Sequence, residues 1–164
     1  MKTIIRQSEP EDYKAIKKIY EQESCYAGTL QLPYPSEAKW KKRLIENPSN
    51  FYSLVALMDN EIVGQIGMHV NTNARRKHAA NIGMAVTEKF QNHGIGSLML
   101  KEMVSLANNW LAVTRIELEA FVDNESAIQI YKKHGFVEEG IAKSYAFRNG
   151  EFVDVKLMAK VGNE

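Results

Sequence analysis

Short apolar segments with a strand-like pattern recur along the chain. Five of them lie within the first 121 residues, and each alternates apolar with polar residues or forms a brief apolar run. The second and third flank residues 59–60, an Asp-Asn pair that suits a tight hairpin turn. Residues 136–147 and 151–161 flank an Arg-Asn-Gly sequence and predict a closing hairpin. The first five predicted strands are residues 3–7, 51–58, 61–70, 79–88 and 115–121.

Four other segments carry apolar residues at helical spacing. Before the first segment, Ser8 and Glu11 have the spacing of a capping box. Ser36 and Asn124 are suitable N-caps for the second and fourth segments. Residues 24–35 carry no charge and contain glycine and prolines, so we expect a loop there. The predicted helices are residues 9–22, a segment from Ser36 that ends before Pro48, residues 94–110, and a segment from Asn124 to His134.

The predicted order is β-α-α-β-β-β-α-β-α-β-β. It combines an antiparallel meander with strand-helix-strand units, so we expect an α/β (α+β) fold with a mixed central sheet. Apolar residues are spread over the whole length, and 164 residues is the usual size of one domain. The sequence therefore predicts a single domain spanning residues 1–164.

Composition and charge exclude several classes of protein. Lys and Arg number 21 and Asp and Glu number 20, which excludes a strongly basic nucleic-acid binder and a highly charged disordered chain. The longest apolar run, residues 54–58, is too short for a membrane span, and no signal peptide is visible. The one cysteine, Cys25, allows no intramolecular disulfide. We expect a cytoplasmic protein with no nucleic-acid partner, no membrane partner and no metal.

A glycine-rich loop, residues 91–96, lies between a predicted strand and a predicted helix. Glycines allow close approach of a ligand, and a helix N-terminus favours phosphate. The loop matches neither of two familiar nucleotide motifs: a Rossmann fingerprint needs glycine where Met99 stands, and a Walker A loop needs lysine where Ser97 follows Gly96. From these residues alone, a turn without a ligand remains the alternative.

Two blocks of the sequence resemble the GNAT superfamily (GCN-five-related N-acetyltransferases). The Gln-x-x-Gly-x-Gly pattern of residues 91–96 is similar to the acetyl-CoA pyrophosphate loop of that family. The second block, residues 118–136, matches the downstream GNAT signature of an acidic residue, Asn, Tyr and Gly-Phe. The chain is identified as a member of this superfamily, and its C-terminal hairpin resembles that of small bacterial amino-acid N-acetyltransferases. The signature positions are Glu119, Asn124, Tyr131, Gly135 and Phe136.

The resemblance implies an acetyl-CoA-dependent N-acetyltransferase that transfers acetyl directly to a primary amine. It implies that the strand before the glycine loop is splayed from the next strand and that pantetheine lies in the gap. Backbone N–H groups of residues 92–97 would hold the pyrophosphate. The implied cofactor-binding residues are Met84, Ala85, Val86, Gln91, Asn92, His93, Gly94, Ile95, Gly96, Ser97, Asn124, Ala127 and Tyr131.

The resemblance also implies the catalytic groups. Tyr131 would protonate the leaving thiolate, because a phenol pKa of about 10 is close to that of a thiol, about 8.5. Glu119 would accept the proton of the amine, directly or through water, and a backbone N–H near Val86 would stabilise the oxyanion. Structural alternatives exist for both: Tyr131 lies on the apolar face of a helix, and Glu119 can be a solvated acid. His78 is a second candidate base, and Cys25 is better explained as a buried thiol than as a nucleophile.

The acceptor is less well specified. Residues 24–35 lie where the family builds its acceptor pocket, and their lack of carboxylates argues against polyamines and aminoglycosides. A free apolar or aromatic amino acid is favoured, with the basic residues 75–78 or Arg148 holding its carboxylate. The alternatives are a protein N-terminal or lysine acetyltransferase and a non-catalytic CoA-binding module, and the resemblance implies a homodimer. The predicted substrate residues are Tyr26, Thr29, Leu32, His78, Tyr145 and Arg148.

Overall fold

A mixed sheet of seven strands with helices on both faces organises the chain. The structure is a computed structural model that describes residues 2–162. The strands are β1 (Thr3–Gln7), β2 (Phe51–Met58), β3 (Glu61–Val70), β4 (Ala79–Val86), β5 (Arg115–Phe121), β6 (Val137–Arg148) and β7 (Glu151–Val161). The helices are α1 (Tyr13–Tyr20), α2 (Glu23–Ala27), α3 (Glu37–Glu46), α4 (Ile95–Trp110) and α5 (Glu125–Lys133).

The predicted fold class is confirmed, and several local predictions are corrected. The first predicted helix begins as a 3₁₀ turn, Pro10–Asp12, before α1. The strand predicted for residues 79–88 ends at Val86, because a second 3₁₀ turn, Glu88–Phe90, follows it. Helix α2 occupies the start of the segment predicted as a loop.

Strands β4 and β5 separate along their length, as the resemblance implies. The sheet order is β1-β2-β3-β4-β5-β7-β6, and β4 with β5 forms its parallel pair. β4 pairs with β3 as far as Val86, but it pairs with β5 only over Ala79, Ala80 and Asn81. The remainder of β4 therefore borders a gap in the sheet, and its backbone groups on that side have no strand partner.

Two apolar clusters cover the two faces of the sheet. Neighbouring residues of β2 point to opposite faces, so Val55 belongs to one cluster and Ala56 to the other. One cluster is built from α1, α2 and α3, and the other from α4 and α5. Helix α4 buries Met99 and Met103 completely against the second face. The helices thus hold the sheet on either side of the gap between β4 and β5.

Candidate active site

Two adjoining cavities open where β4 leaves β5. The first, here called the glycine cleft, has a volume of about 400 Å³ and lies between the end of β4, the glycine loop and α5. The second, the aromatic pocket, has a volume of about 420 Å³ and lies between α3, the sheet and α5. Both cavities are lined by Gly28, Thr29, Met84 and Tyr131. These four residues therefore mark the boundary at which groups bound in the two cavities would meet.

The glycine cleft contains eleven of the thirteen predicted cofactor residues. The other two lie outside its lining: His93 Nδ1 donates to the Gln91 carbonyl (2.7 Å), and Ser97 Oγ is hydrogen-bonded to His134 Nε2 (3.1 Å). Burial is the main cause of the lowered pKa of His134. The predicted residues that line the cleft are Met84, Ala85, Val86, Gln91, Asn92, Gly94, Ile95, Gly96, Asn124, Ala127 and Tyr131.

The backbone of the glycine loop is open toward the cleft. Gly94 is the N-cap of α4 with a φ of +81°, a conformation that L side chains rarely adopt. A Cβ at Gly94 would meet nothing within 4 Å. The first N–H groups of a helix have no intrahelical partner and carry a partial positive charge. The N-terminus of α4 thus places N–H groups without intrahelical partners at the lining of the cleft, and such donors suit a pyrophosphate.

At the free edge of β4, the backbone N–H and carbonyl groups of every second residue point into the gap. Thr87 donates its N–H to the Val63 carbonyl of β3, so the backbone groups of Val86 and Met84 point the other way. The Val86 carbonyl already accepts bonds from Gln91 Nε2 (3.0 Å) and Cys25 Sγ (3.3 Å). The N–H of Val86 remains directed into the gap.

Asn124 combines two functions. Its Oδ1 accepts the N–H of Ala127 (3.3 Å), so it is the N-cap of α5 that the sequence predicts. Its side chain also lines the glycine cleft, and within residues 2–162 its Nδ2 has no hydrogen-bond acceptor. The cap fixes the side chain while the amide donor stays available.

Tyr131 is buried between the two cavities. It is 7% exposed, packs against Phe136 with ring centroids 5.8 Å apart, and has no hydrogen-bond partner for its hydroxyl within the described residues. Burial raises the pKa of Tyr131 to about 12. The phenol is therefore protonated at neutral pH and can donate a proton.

Glu119 lies in the aromatic pocket, whereas its neighbour Glu117 does not. Asn81 Nδ2 donates to both carboxylate oxygens of Glu119, at 3.0 and 3.2 Å. Glu117 is engaged in ion pairs with Arg76 and Arg115. Of these two acids on one face of β5, Glu117 is paired with cations and Glu119 lines the aromatic pocket.

The rest of the aromatic pocket was not apparent from any motif. Tyr20 donates to Gln65 Oε1 (2.7 Å), and Gln65 donates to Ser53 Oγ (3.0 Å), in a buried network at the wall of the pocket. His69 stacks on Phe51 with centroids 4.4 Å apart. The pKa of His69 is lowered, mainly by burial. A polar Gln65 within the apolar run of β3 was the one available signal. Further lining residues missed by sequence reasoning are Trp40, Arg43, Asn81 and Phe121.

Most of the predicted substrate residues are not part of the lining of either cavity. Thr29 alone among the six lines the cavities, and its hydroxyl donates to the Cys25 carbonyl (2.7 Å). Leu32 is 79% exposed, and Arg148 is paired with Asp123. Tyr145 lies outside the lining of both cavities. Partial burial and, to a smaller extent, the negative charge of Glu119 raise the pKa of Tyr145. The predicted substrate residues outside both cavities are Tyr26, Leu32, His78, Tyr145 and Arg148.

The alternatives to Glu119 as base and to direct transfer also lose support. His78 precedes β4, at the end of the strand away from the gap. Cys25 lines the glycine cleft, but its thiol donates to a carbonyl and burial raises its pKa. A protonated thiol is a poor nucleophile. Residues 2–162 contain no cluster of three or more His, Cys, Asp or Glu able to hold a metal, and no helix among them could cross a membrane.

The family match and the fold together identify the class of this protein. The sequence matches the Acetyltransferase (GNAT) family over residues 14–136, so the chain belongs to that family, as the resemblance predicted. It is 45% identical over 158 residues, 96% of this chain and 97% of the relative, to the L-amino acid N-acetyltransferase AaaT of Escherichia coli (strain K12). The chain is an enzyme that transfers acetyl groups, and its family uses acetyl-CoA.

Solved structures agree with this assignment. A GNAT-family acetyltransferase from Streptococcus pneumoniae superposes with a TM-score of 0.86 at 26% identity, covering 98% of this chain and 99% of that one. A GNAT-superfamily phosphinothricin acetyltransferase from Sinorhizobium meliloti, in complex with AcCoA, gives 0.88 at 20% identity, covering 99% and 89%. The second likeness concerns the fold alone.

Proposed function

We propose that this enzyme transfers acetyl from acetyl-CoA directly to the primary amine of a free amino acid with an apolar or aromatic side chain. The observation that carries the proposal is the junction of the two cavities at Tyr131 and Met84. The aromatic pocket is lined by both aromatic and polar side chains, so it suits an acceptor with an apolar side chain and polar backbone groups. The relative that is 45% identical is an L-amino acid N-acetyltransferase.

In this proposal the glycine cleft holds acetyl-CoA, which supplies the acetyl thioester. The free backbone edge at Met84 and Val86 pairs with the pantetheine arm, and Asn124 donates to it through Nδ2. Ala127 packs beside the arm. The N–H groups of residues 92–97 bind the pyrophosphate, with Gln91 bracing the loop through its bond to Val86. Gly94 lines the cleft, and the open space around the position of a Cβ there is consistent with this fit.

The chain's own residues then move the protons. Glu119, oriented by Asn81, accepts a proton from the ammonium group of the acceptor, directly or through one water. The freed amine attacks the thioester carbon, a C–N bond forms and the C–S bond breaks. The N–H of Val86 donates to the carbonyl oxygen as negative charge develops there. Tyr131 donates its phenolic proton to the departing sulfur and regains one from the amide nitrogen through solvent.

The test is acetyl-CoA-dependent thiol release with a panel of acceptors. We expect turnover of one or more apolar or aromatic amino acids and none of their N-blocked forms. The panel includes spermidine, an aminoglycoside and short peptides. Turnover of peptides without turnover of any free amino acid would overturn the proposal in favour of a protein acetyltransferase.

We further propose that the chain forms one domain and acts as a cytoplasmic homodimer. β6 is an edge strand, and the hairpin it forms with β7 exposes large apolar side chains such as Phe147 and Phe152, the latter 69% exposed. Such a surface is typical of an interface. The mass of one chain is 18.6 kDa. Light scattering coupled to size-exclusion chromatography is expected to give twice that mass. A monomer at micromolar concentration would refute the dimer.

A further inference from the structure

We infer that Arg43 binds the α-carboxylate of the acceptor and selects free amino acids over amines that lack this group. The inference rests on the proposed function and names the side chain that defines its substrate class. The basic residues 75–78 and Arg148 are the carboxylate-binding candidates that the sequence suggests. Those residues lie outside both cavities, whereas Arg43 lines the aromatic pocket.

Arg43 is an exposed residue whose guanidinium lies over a buried aromatic stack. Its guanidinium carbon lies 4.3 Å from the centroid of the Trp40 ring. Trp40 in turn stacks on Tyr20, with centroids 5.1 Å apart and planes 13° from parallel. Both rings are at most 5% exposed. A guanidinium that lies on an aromatic face keeps its N–H donors at its edge, where they remain available to a ligand.

Arg43 has no ion-pair partner among the described residues. Arg76 and Arg148, by contrast, each pair with a carboxylate. Its field reaches into the pocket, where it contributes after burial to the lowered pKa of His69. His69 is therefore neutral at pH 7 and does not compete for an anion.

The charged groups of the aromatic pocket match those of a zwitterion. Among the described residues that line it, Glu119 is the one anion and Arg43 the one permanent cation. Glu119 lies with Tyr131 in the pocket wall and attracts the ammonium group, while Arg43, on α3, offers a fork that fits a carboxylate. A polyamine or the N-terminus of a peptide leaves the guanidinium without a partner.

The matching experiment compares an amino acid with its own carboxamide. The acceptor is the amino acid turned over best in the panel, and the carboxamide keeps its α-amine and side chain but removes the negative charge. We measure kcat/KM for both with the wild type, Arg43→Gln, Arg43→Lys and the control Lys42→Gln. Lys42 is the adjacent cation of α3, 72% exposed at its side chain, and it lies outside both cavities.

We expect Arg43→Gln to lower kcat/KM for the amino acid by about tenfold to a hundredfold, the effect of a lost hydrogen bond to a charged group. For Arg43→Gln, the loss is expected in KM, while kcat for the amino acid and kcat/KM for the carboxamide stay within about threefold of wild type. Arg43→Lys should give an intermediate kcat/KM for the amino acid, and Lys42→Gln should leave it unchanged. Since both compounds are compared across variants, the difference in amine basicity cancels.

Two results would overturn the inference and separate it from the proposed function. If the wild type acetylates amino acids but Arg43→Gln leaves the acid-to-amide ratio unchanged, Arg43 does not bind the carboxylate and the proposed function stands. If the wild type turns over no free amino acid, the proposed function fails and the inference with it. Acetyl-CoA binding measured by calorimetry confirms that each variant is folded.

Discussion

At the scale of single residues, the position of Tyr131 between the two cavities leads to a test of its chemistry. We expect Tyr131→Phe to lower kcat by about 10²–10³-fold, the usual contribution of a positioned acid. Its hydroxyl has no partner in the described fold, so thermal stability should change little. Single-turnover kinetics and thermal denaturation check the two parts. Loss of stability without loss of rate would assign Tyr131 to the core alone.

The pH dependence of the rate tests the same residue. A phenol whose pKa is raised to about 12 is protonated, and so competent as an acid, throughout pH 6–10. The rate should therefore rise with pH as the amine loses its proton, with no alkaline decline from Tyr131 in that range. An alkaline limb near pH 10 that disappears in Tyr131→Phe would show that this tyrosine titrates at an ordinary pKa.

Glu119 and Glu117 provide a matched pair on β5. We expect Glu119→Gln to lower kcat/KM about a hundredfold at pH 7, the scale of general-base catalysis. The defect should shrink toward pH 10, where the amine is already neutral. Glu117→Gln, which removes only the ion pairs with Arg76 and Arg115, should stay within about twofold of wild type. Equal losses in both variants, or a loss independent of pH, would contradict a base role for Glu119.

Residue positions were predictable from sequence where a motif fixes their spacing. Glu119 and Tyr131 lie in one strand-helix unit, so a local pattern identifies both, although their roles remain proposals. Arg43 and Asn81 reach the aromatic pocket through packing between distant elements, and no local pattern encodes that. The charge of residues 75–78 was the basis for predicting that they bind a carboxylate, but Arg76 is paired with Glu117.

At the scale of elements, the start of α1 depends on Asp12. Its carboxylate accepts the Glu9 N–H (2.7 Å) and two bonds from Arg6 of β1 (2.7 and 3.0 Å). Burial is the largest single influence on the pKa of Asp12 and raises it, but the bonds from Arg6 and Glu9 together outweigh burial and lower it. The capping pair expected at Ser8 and Glu11 is thus displaced by one residue, because Arg6 anchors Asp12.

The lowered pKa of Asp12 makes this anchor dependent on pH. Its stabilisation is present above the unfolded value of about 3.9 and is lost as pH falls through the lower folded value. We expect Asp12→Asn to reduce the free energy of unfolding by about 1–2 kcal/mol at pH 7, allowing for the partial exposure of Arg6. Urea denaturation should show the difference shrinking below pH 4. A difference that persists unchanged at pH 2.5 would argue against the charge.

Helix α2 shows why some elements escape sequence analysis. Five residues are too few to form an isolated helix. The turn is held from outside: Glu88 donates its N–H to Gln22 Oε1 (2.7 Å) and accepts from the Ser24 hydroxyl (3.0 Å). The same contacts tie α2 to the end of β4, and they help to shape the glycine cleft. Contacts 60 or more residues apart in sequence leave no local periodicity to detect.

At the scale of the whole molecule, the gap between β4 and β5 contains the candidate site and is also the weakest junction of the sheet. Only three residue pairs, all between β4 and β5, join the strands before the gap to the strands after it. The apolar cluster beneath α4 and α5 spans both sides and must supply most of the cohesion. A ligand that pairs with β4 and contacts α5 would add a link between the two parts of the sheet.

This arrangement predicts how acetyl-CoA changes stability. At a concentration of about 100 times its dissociation constant, acetyl-CoA should raise the free energy of unfolding by about 2.7 kcal/mol and the melting temperature by about 5–10 °C.

If the chain is one domain, melting remains a single transition, and hydrogen exchange slows in both β4 and β5 because the ligand bridges them. Gly94→Ala should reduce this shift, since a side chain at φ +81° strains a loop that lines the cleft. Protection of β4 alone, or a separate melting transition for β5–β7, would mean that the two sides of the gap fold independently and that acetyl-CoA does not connect them.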